Sequence, residues 1–428
     1  MVSMHGETAV SVKTAFILFG VTGDLARQKL IPSLYKLFVR GNLSPQFLLV
    51  GFGRKPFTQE EFRFYIEEIV RDVALPEELI KDKLELIGEF TQHCFYIEGQ
   101  FDHGVDYERL KRKLESYQTA KAYFYLSVPP AYQPIIIDQL GWMQLLLATP
   151  IYKPHVLIEK PFGENDKSAK ELDSVLKKYI EESGIYRIDH YLGKDVLHRL
   201  EEDKKNILFS HFWNDTYIEQ IEATIHEKKD IGSRGAFYDK VGALKDVGQN
   251  HLLQMLSAIM VLSSSNCEAD EVAKQRAKVL HSLSIIASKT VRGQYKGYTE
   301  TTGIAADSTT ETFFKTELKT SLPHWKKTRL IISAGKCLKD NSASLIITFR
   351  SKTKPVKKLR LELNAPHIVP LQRMDAYEHI FMSALQGNKK IFISLDEAVA
   401  GWKFVKKLHD VWKKRKTSLV IYKMGSNI

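Results

Sequence analysis

The sequence predicts two domains of different class: a doubly wound α/β domain, then an α+β domain. Three observations carry this. Up to residue 185, short apolar runs alternate with stretches of helical periodicity. A glycine-bearing turn directly follows the first apolar run. Beyond residue 186, strand-like segments cluster apart from one long helical region.

Residues 1–12 are small and polar and read as a flexible tail with no apolar leader core. Ala15–Phe19 is an unbroken apolar run ended by Gly20, as expected of a strand buried on both faces of a parallel sheet. From Asp24 to Phe38, apolar residues at 30, 34, 37 and 38 mark a helix, which Pro32 must start or kink because it lacks an N–H. Gln46–Gly51 is the second strand, and Tyr123–Val128 and Val156–Ile158 continue the alternation. The domain boundary is placed at 185/186, giving domains over 13–185 and 186–428. In the second, strands at Ile218–Ile225, Leu330–Ser333 and Ala343–Phe349 flank helical stretches at His251–Leu262 and Glu271–Ser288.

Composition narrows the function classes. The 428 residues are 44% hydrophobic and 26% charged, which excludes a disordered chain, a collagen and a disulfide scaffold. The three cysteines, Cys94, Cys267 and Cys337, show no CxxC spacing, so no cysteine zinc site is expected, and a reducing compartment, the cytoplasm, is. The apolar stretch at Leu252–Leu262 is too short to span a bilayer. With 62 basic and 51 acidic residues, the net charge of +11 suits anionic partners: phosphorylated metabolites, nucleic acid or acidic lipid. Near the C-terminus, apolar residues at 398, 402, 405, 408 and 412 mark an amphipathic helix. Its lysine-rich opposite face reads as solvated rather than as a nucleic-acid surface.

Three segments carry chemistry. Gly20-Val-Thr-Gly23-Asp24-Leu25-Ala26 links the first strand to a helix, where free amides and a positive helix end favour a phosphate. Its GxxGxxA spacing departs from GxGxxG, and a ligand-free tight turn would use the same residues. The second strand runs into Gly51-Phe-Gly53-Arg54-Lys55, with no acid to bind a ribose hydroxyl; a guanidinium there matches a 2′-phosphate, which with the glycine loop favours NADP over a merely solvated basic turn. In Tyr186-Arg-Ile-Asp189-His190-Tyr191-Leu-Gly-Lys194-Asp195, His190 and Lys194 are spaced to grip one phosphate, or to join a surface salt-bridge cluster. Lys245-Asp246-Val-Gly-Gln-Asn-His251 opens an apolar helix; its histidine is a candidate base if a carboxylate such as Asp189 fixes its tautomer, and a structural residue otherwise.

The blocks FGVTGDLA, GFGR, IEKPFG, YRIDHYLGKD, RGAFYDKVGALKDVGQNHLLQM and DAYEHI, in this order, resemble those of the glucose-6-phosphate dehydrogenase family, from about Ala15 to Trp412. The resemblance implies a Rossmann-like N-terminal domain and a larger α+β domain with a mostly antiparallel sheet that serves substrate binding and oligomerisation. It implies oxidation of D-glucose 6-phosphate to 6-phospho-D-glucono-1,5-lactone with NADP as hydride acceptor, the first step of the oxidative pentose phosphate pathway. By resemblance, Gly20, Thr22, Gly23, Asp24 and Leu25 fall at the coenzyme pyrophosphate and Arg54 at the 2′-phosphate. Lys160 falls where coenzyme and substrate are both reached, and Gln100-Phe101 near the coenzyme. His190, Tyr191 and Lys194 fall on substrate-phosphate ligands, and Glu227, Asp246 and Lys336 on groups holding the sugar. His251 falls on the base and Asp189 on its partner.

The chain departs from the family pattern at Ser333, where an arginine is usual, at the uncharged Asn341 and Ser342, and in a shortened segment from Ser351 to Met374. A homodimer or homotetramer is the expected assembly, with neither nucleic acid nor membrane as partner. The competing reading is a catalytically impaired relative that binds a nucleotide or sugar phosphate.

Overall fold

The computed structural model describes residues 12–74, 82–203, 211–262, 267–351, 357–363 and 374–428. The expected tail therefore lies outside the described residues except for Val12, as does most of the Ser351 to Met374 stretch. The chain forms two compact units. The first comprises Met1–Gly163, Lys170–Ile188 and Val369–Gly387; the second comprises Glu164–Ala169, Asp189–Ile368 and Asn388–Ile428. The main division falls after Ile188, within a few residues of 185/186, and the first unit also takes in a late segment outside 13–185.

In the first unit, β1 (Thr14–Phe19), β2 (Phe47–Gly53), β3 (Cys94–Glu98), β4 (Lys121–Leu126), β5 (Lys153–Glu159) and β6 (Ile185–Ile188) run in the order β6-β5-β4-β1-β2-β3. Each adjacent pair is parallel. β1 and β2 are buried along their whole length, so they read as continuous apolar runs rather than as alternating patterns. After the glycine loop, the helical path runs through Pro32 instead of beginning there. Ala26–Leu30 is a wider π turn, and Ile31–Val39 continues as α-helix with the proline in its first turn. The expanded turn makes room for the pyrrolidine ring and spares the missing hydrogen bond.

The late segment joins this unit through polar contacts and rings. Asp375 caps the helix Ala376–Leu385 and also accepts from Ser33 Oγ at 3.2 Å and Lys36 Nζ at 2.8 Å. Arg40 pairs with the buried Glu378, and the Phe16 and Phe381 rings meet edge to face at 5.6 Å.

The second unit is built on a sheet of β7 (Ile218–His226), β8 (Leu283–Tyr295), β9 (Phe313–Thr320), β10 (Arg329–Gly335), β11 (Ser342–Phe349) and β12 (Lys358–Glu362), ordered β12-β11-β7-β10-β9-β8, with the strand Leu419–Tyr422 beyond β8. Most neighbours are antiparallel; β7–β10 and β8–Leu419 to Tyr422 are parallel. The helix expected over Glu271–Ser288 stops at Ser282, and Leu283 turns extended to begin β8. Pairing of Leu283 with Thr320 and Ile285 with Leu318 outweighs the helical reading of these apolar residues. The apolar face of the sheet packs on Leu252–Val261, Val279–Leu280 and the long helix Leu395–Lys414, the last buried at 398, 402, 405, 408 and 412 as its periodicity predicts.

Candidate active site

In the first unit, the expected nucleotide residues gather at the carboxyl edge of the parallel sheet, where open α/β sheets bind ligands. Gly20 leaves β1 with φ +76°, and a Cβ there would lie 2.6 Å from Ser127 O, so only glycine fits this turn. Gly23 N–H donates to Gly20 O at 2.9 Å, and Arg27 N–H to Gly23 O at 3.0 Å, which starts the helix at once. Gly23 and Asp24 are exposed and Thr22 and Leu25 half-buried, so the loop is open on the side where an anion would meet the helix start. Arg54 follows β2, its guanidinium carbon 5.9 Å from the Phe101 ring centre and 6.0 Å from that of Tyr132. A cation held beside two aromatic faces fits a phosphorylated adenine nucleotide. Tyr132 lies in a loop after β4 that the sequence reading did not single out; its only local signal is the Pro129-Pro130 pair before it. Lys160 directly follows β5 and is half-buried, and its bond to Pro161 is cis. The preceding Glu159 is buried and accepts from Tyr125 Oη at 2.6 Å.

The second unit holds two clusters. In one, Asp189 Oδ1 accepts from His251 Nδ1 at 2.6 Å and from Tyr191 N–H at 3.0 Å. Both side chains are almost wholly buried, at 1% and 3% exposure, though 62 positions apart in sequence. The His251 ring is walled by Tyr191 at 4.3 Å and by His190 at 4.7 Å between ring centres. Lys194 Nζ lies 5.5 Å from the Tyr191 ring centre, so Tyr191 stands next to both the imidazole and this ammonium. Burial pushes the Asp189 carboxyl up; the His251 charge and hydrogen bond, His190 and the Tyr191 amide outweigh it and hold it below its ordinary range. An ionised Asp189 only accepts, so Nδ1 carries the proton and Nε2 the lone pair. Asp189, His190 and His251 also lie close enough to share a metal ion. The two-centre bond between Asp189 and His251 accounts for that closeness without one.

The other cluster follows from strand register. β7 and β10 are parallel, with His226 beside Gly335, so Glu227 and Lys336 leave the same edge side by side. Lys336 is buried, ion-paired with Glu227, 3.8 Å from Asp246 Oδ2 and 5.6 Å from the Tyr238 ring centre. A buried ammonium demands such partners. Asp246 and His251 both belong to Leu244–Leu252, which is a π-helix rather than the α-helix the apolar pattern suggests. Hydrogen bonds in a π-helix reach back five residues, so these two side chains, five apart, stand about one turn from each other. Among the described residues, the fold therefore joins Asp189, His190 and Tyr191 around the His251 imidazole, with Lys194 beside Tyr191, and Glu227 and Asp246 around the Lys336 ammonium. Ser333, at the family's arginine position, is buried and bonded through Oγ to His226 Nε2 at 3.1 Å.

The profile of the glucose-6-phosphate dehydrogenase NAD-binding domain matches residues 17–198, and that of the family's C-terminal domain matches 203–364 and 351–427. The chain is 31% identical to glucose-6-phosphate 1-dehydrogenase of Chlamydia pneumoniae, over 92% of this chain and 89% of that one. It is 29% identical to the Bacillus subtilis enzyme of the same name, over 98% and 96%. The structure is similar to that of glucose-6-phosphate 1-dehydrogenase from Mycobacterium avium, with TM-score 0.76, 25% identity and coverage of 97% and 95%. It shares its fold, with TM-score 0.86 at 24% identity and coverage of 99% and 96%, with a glucose-6-phosphate dehydrogenase solved in complex with its substrate. By profiles spanning both units and by this identity over nearly its whole length, the chain belongs to the glucose-6-phosphate dehydrogenase family.

Proposed function

We propose that this protein oxidises D-glucose 6-phosphate at C1 to 6-phospho-D-glucono-1,5-lactone and reduces NADP+ to NADPH. The observation that carries the reading is the buried 2.6 Å bond between Asp189 and His251, set beside His190 and Tyr191. His251 Nε2 takes the proton from the C1 hydroxyl. Asp189 holds the ring in the required tautomer and offsets the charge the ring gains. NADP supplies the hydride acceptor. His190, Tyr191 and Lys194 bind the substrate phosphate, and Glu227, Asp246 and Lys336 hold the sugar hydroxyls. Gly20, Thr22, Gly23, Asp24 and Leu25 seat the pyrophosphate, Arg54 reads the 2′-phosphate, and Lys160 reaches both ligands.

The test is NADPH absorbance on mixing the protein with glucose 6-phosphate and NADP+. Steady formation supports the reading. Binding of both ligands without formation would favour the impaired relative.

Two variants check the assigned contacts. Lys194→Ala removes a charged contact to the phosphate that is present before and during reaction, so KM for glucose 6-phosphate should rise about tenfold or more with kcat little changed. An unchanged KM would remove Lys194 from the phosphate site. Arg54→Ala should raise KM for NADP several-fold or more and spare NAD, since only NADP carries the 2′-phosphate. Equal losses with both coenzymes would count against that role.

A cytoplasmic homodimer or homotetramer is proposed with this activity, the second unit serving oligomerisation as well as substrate; light scattering of the purified chain decides the assembly. Among the described residues no helix is long and apolar enough to cross a membrane.

A further inference from the structure

Glu311 stands outside every motif that the sequence suggests for chemistry, yet three site elements meet on the segment around it. Its side chain is buried, at 6% exposure, and Oε1 accepts from Leu244 N–H at 3.1 Å, the first residue of the π-helix bearing Asp246 and His251. Its own carbonyl accepts from Ala243 N–H at 2.9 Å. Gly242, at φ +69°, leaves the space the carboxylate fills; a Cβ there would lie 2.5 Å from Glu311 Oε1. Residues on either side fasten the rest. Ser308 Oγ and Tyr298 Oη bond to Asp239, beside Tyr238, and Thr310 Oγ1 donates to Asp239 O at 2.6 Å. Thr312 O accepts from Lys336 N–H at 2.9 Å.

We infer that Glu311 is a positioning residue for the reaction proposed above: its carboxylate fixes where the π-helix starts and so aims His251 at Asp189 and Asp246 at Lys336. The inference rests on that reading of the reaction. The bond is set at the first amide of the helix, so it fixes the point from which the π turns carrying Asp246 and His251 are counted. The charged and titratable groups around the carboxyl are Lys245, Arg292, Tyr238 and Tyr298. Burial pushes the carboxyl up to about 7, against the pull of the Leu244 amide, its own amide, Arg292 and Lys245. A glutamine therefore copies its neutral form and keeps an acceptor for Leu244.

The experiment compares Glu311→Ala and Glu311→Gln with the full wild-type chain. Glu311→Ala should lose about tenfold to a hundredfold in kcat, the scale of a slightly misplaced reacting group, with KM for NADP within about twofold. Glu311→Gln should recover most of that loss. The His251 ring nitrogen resonance should shift in the alanine variant and return in the glutamine variant. Full kcat in Glu311→Ala with only a lower melting temperature would overturn the inference, as would a glutamine variant no better than alanine. Should Glu311→Ala not fold, Gly242→Ala takes its place, its Cβ displacing the carboxylate; unchanged kcat and an unchanged resonance there would overturn the inference equally. If the wild-type chain forms no NADPH, the reading of the reaction fails, and the ring resonance still decides whether Glu311 aims His251.

Discussion

His251→Asn should lower kcat by about 10²–10⁴-fold and leave glucose 6-phosphate binding nearly unchanged. The size follows from what is removed. A base with its lone pair held on Nε2 would accept the proton of the C1 hydroxyl as the C1 hydrogen leaves as hydride for NADP+; an amide in its place has no comparable basicity near neutral pH. Binding is spared because the phosphate and sugar groups assigned above sit on other residues, with Lys194 beside Tyr191 and Lys336 between Glu227 and Asp246. Asparagine also keeps a polar group facing Asp189, so the buried carboxylate is not stripped of every partner. The smaller side chain leaves some space beside the Tyr191 and His190 rings, a cost to stability rather than to binding. Steady-state kinetics together with calorimetric titration of glucose 6-phosphate checks both halves. Turnover within a few-fold of wild type would remove His251 as the base.

What the sequence revealed and what it concealed divide along physical lines. β1 and β2 were legible because strands buried on both faces are unbroken apolar runs, and the turn at Gly20 because no other residue fits beside Ser127 O. The roles of Lys160, Glu227 and Lys336 came only from resemblance. No local pattern shows that Glu227 and Lys336 meet, since that depends on β7 and β10 pairing in parallel across more than a hundred residues. The bond between Asp189 and His251 was hidden for the same reason. Periodicity also misjudged one helix and left the type of another open. It carried one past Ser282, where pairing with β9 takes over. It could not separate an α-helix from the π-helix at Leu244–Leu252, because both bury an apolar stripe. Glu311 was passed over because one acid among threonines carries no spacing signal; only its burial under Leu244 marks it.

Asp189→Asn should reduce kcat by about 10⁴-fold with substrate KM nearly unchanged, and should alter how stability responds to acid. The amide keeps the shape of the carboxylate, so the turn carrying His190 and Lys194 stays in place, although Oδ1 serves both His251 and the Tyr191 amide and a nitrogen turned to the ring gives up the Tyr191 bond. Two things are lost. The full negative charge that steadies a protonated His251 disappears, which raises the barrier to taking the C1 hydroxyl proton. The amide nitrogen can also donate to Nδ1, which moves the ring proton to Nε2 and leaves no lone pair for the substrate. The stability effect has a fixed sign. The Asp189 carboxyl is held below its ordinary range in the folded chain by His251, His190 and the Tyr191 amide, despite burial. It therefore stabilises the fold fully above its unfolded pKa, and that contribution fades as the pH falls through the lowered folded value. The variant has no such group to protonate. Melting temperatures taken from neutral pH into the acid range should converge, the wild-type advantage shrinking as carboxylates protonate. Parallel curves for the two proteins, or kcat within tenfold of wild type, would mean that the Asp189 charge does not steady His251.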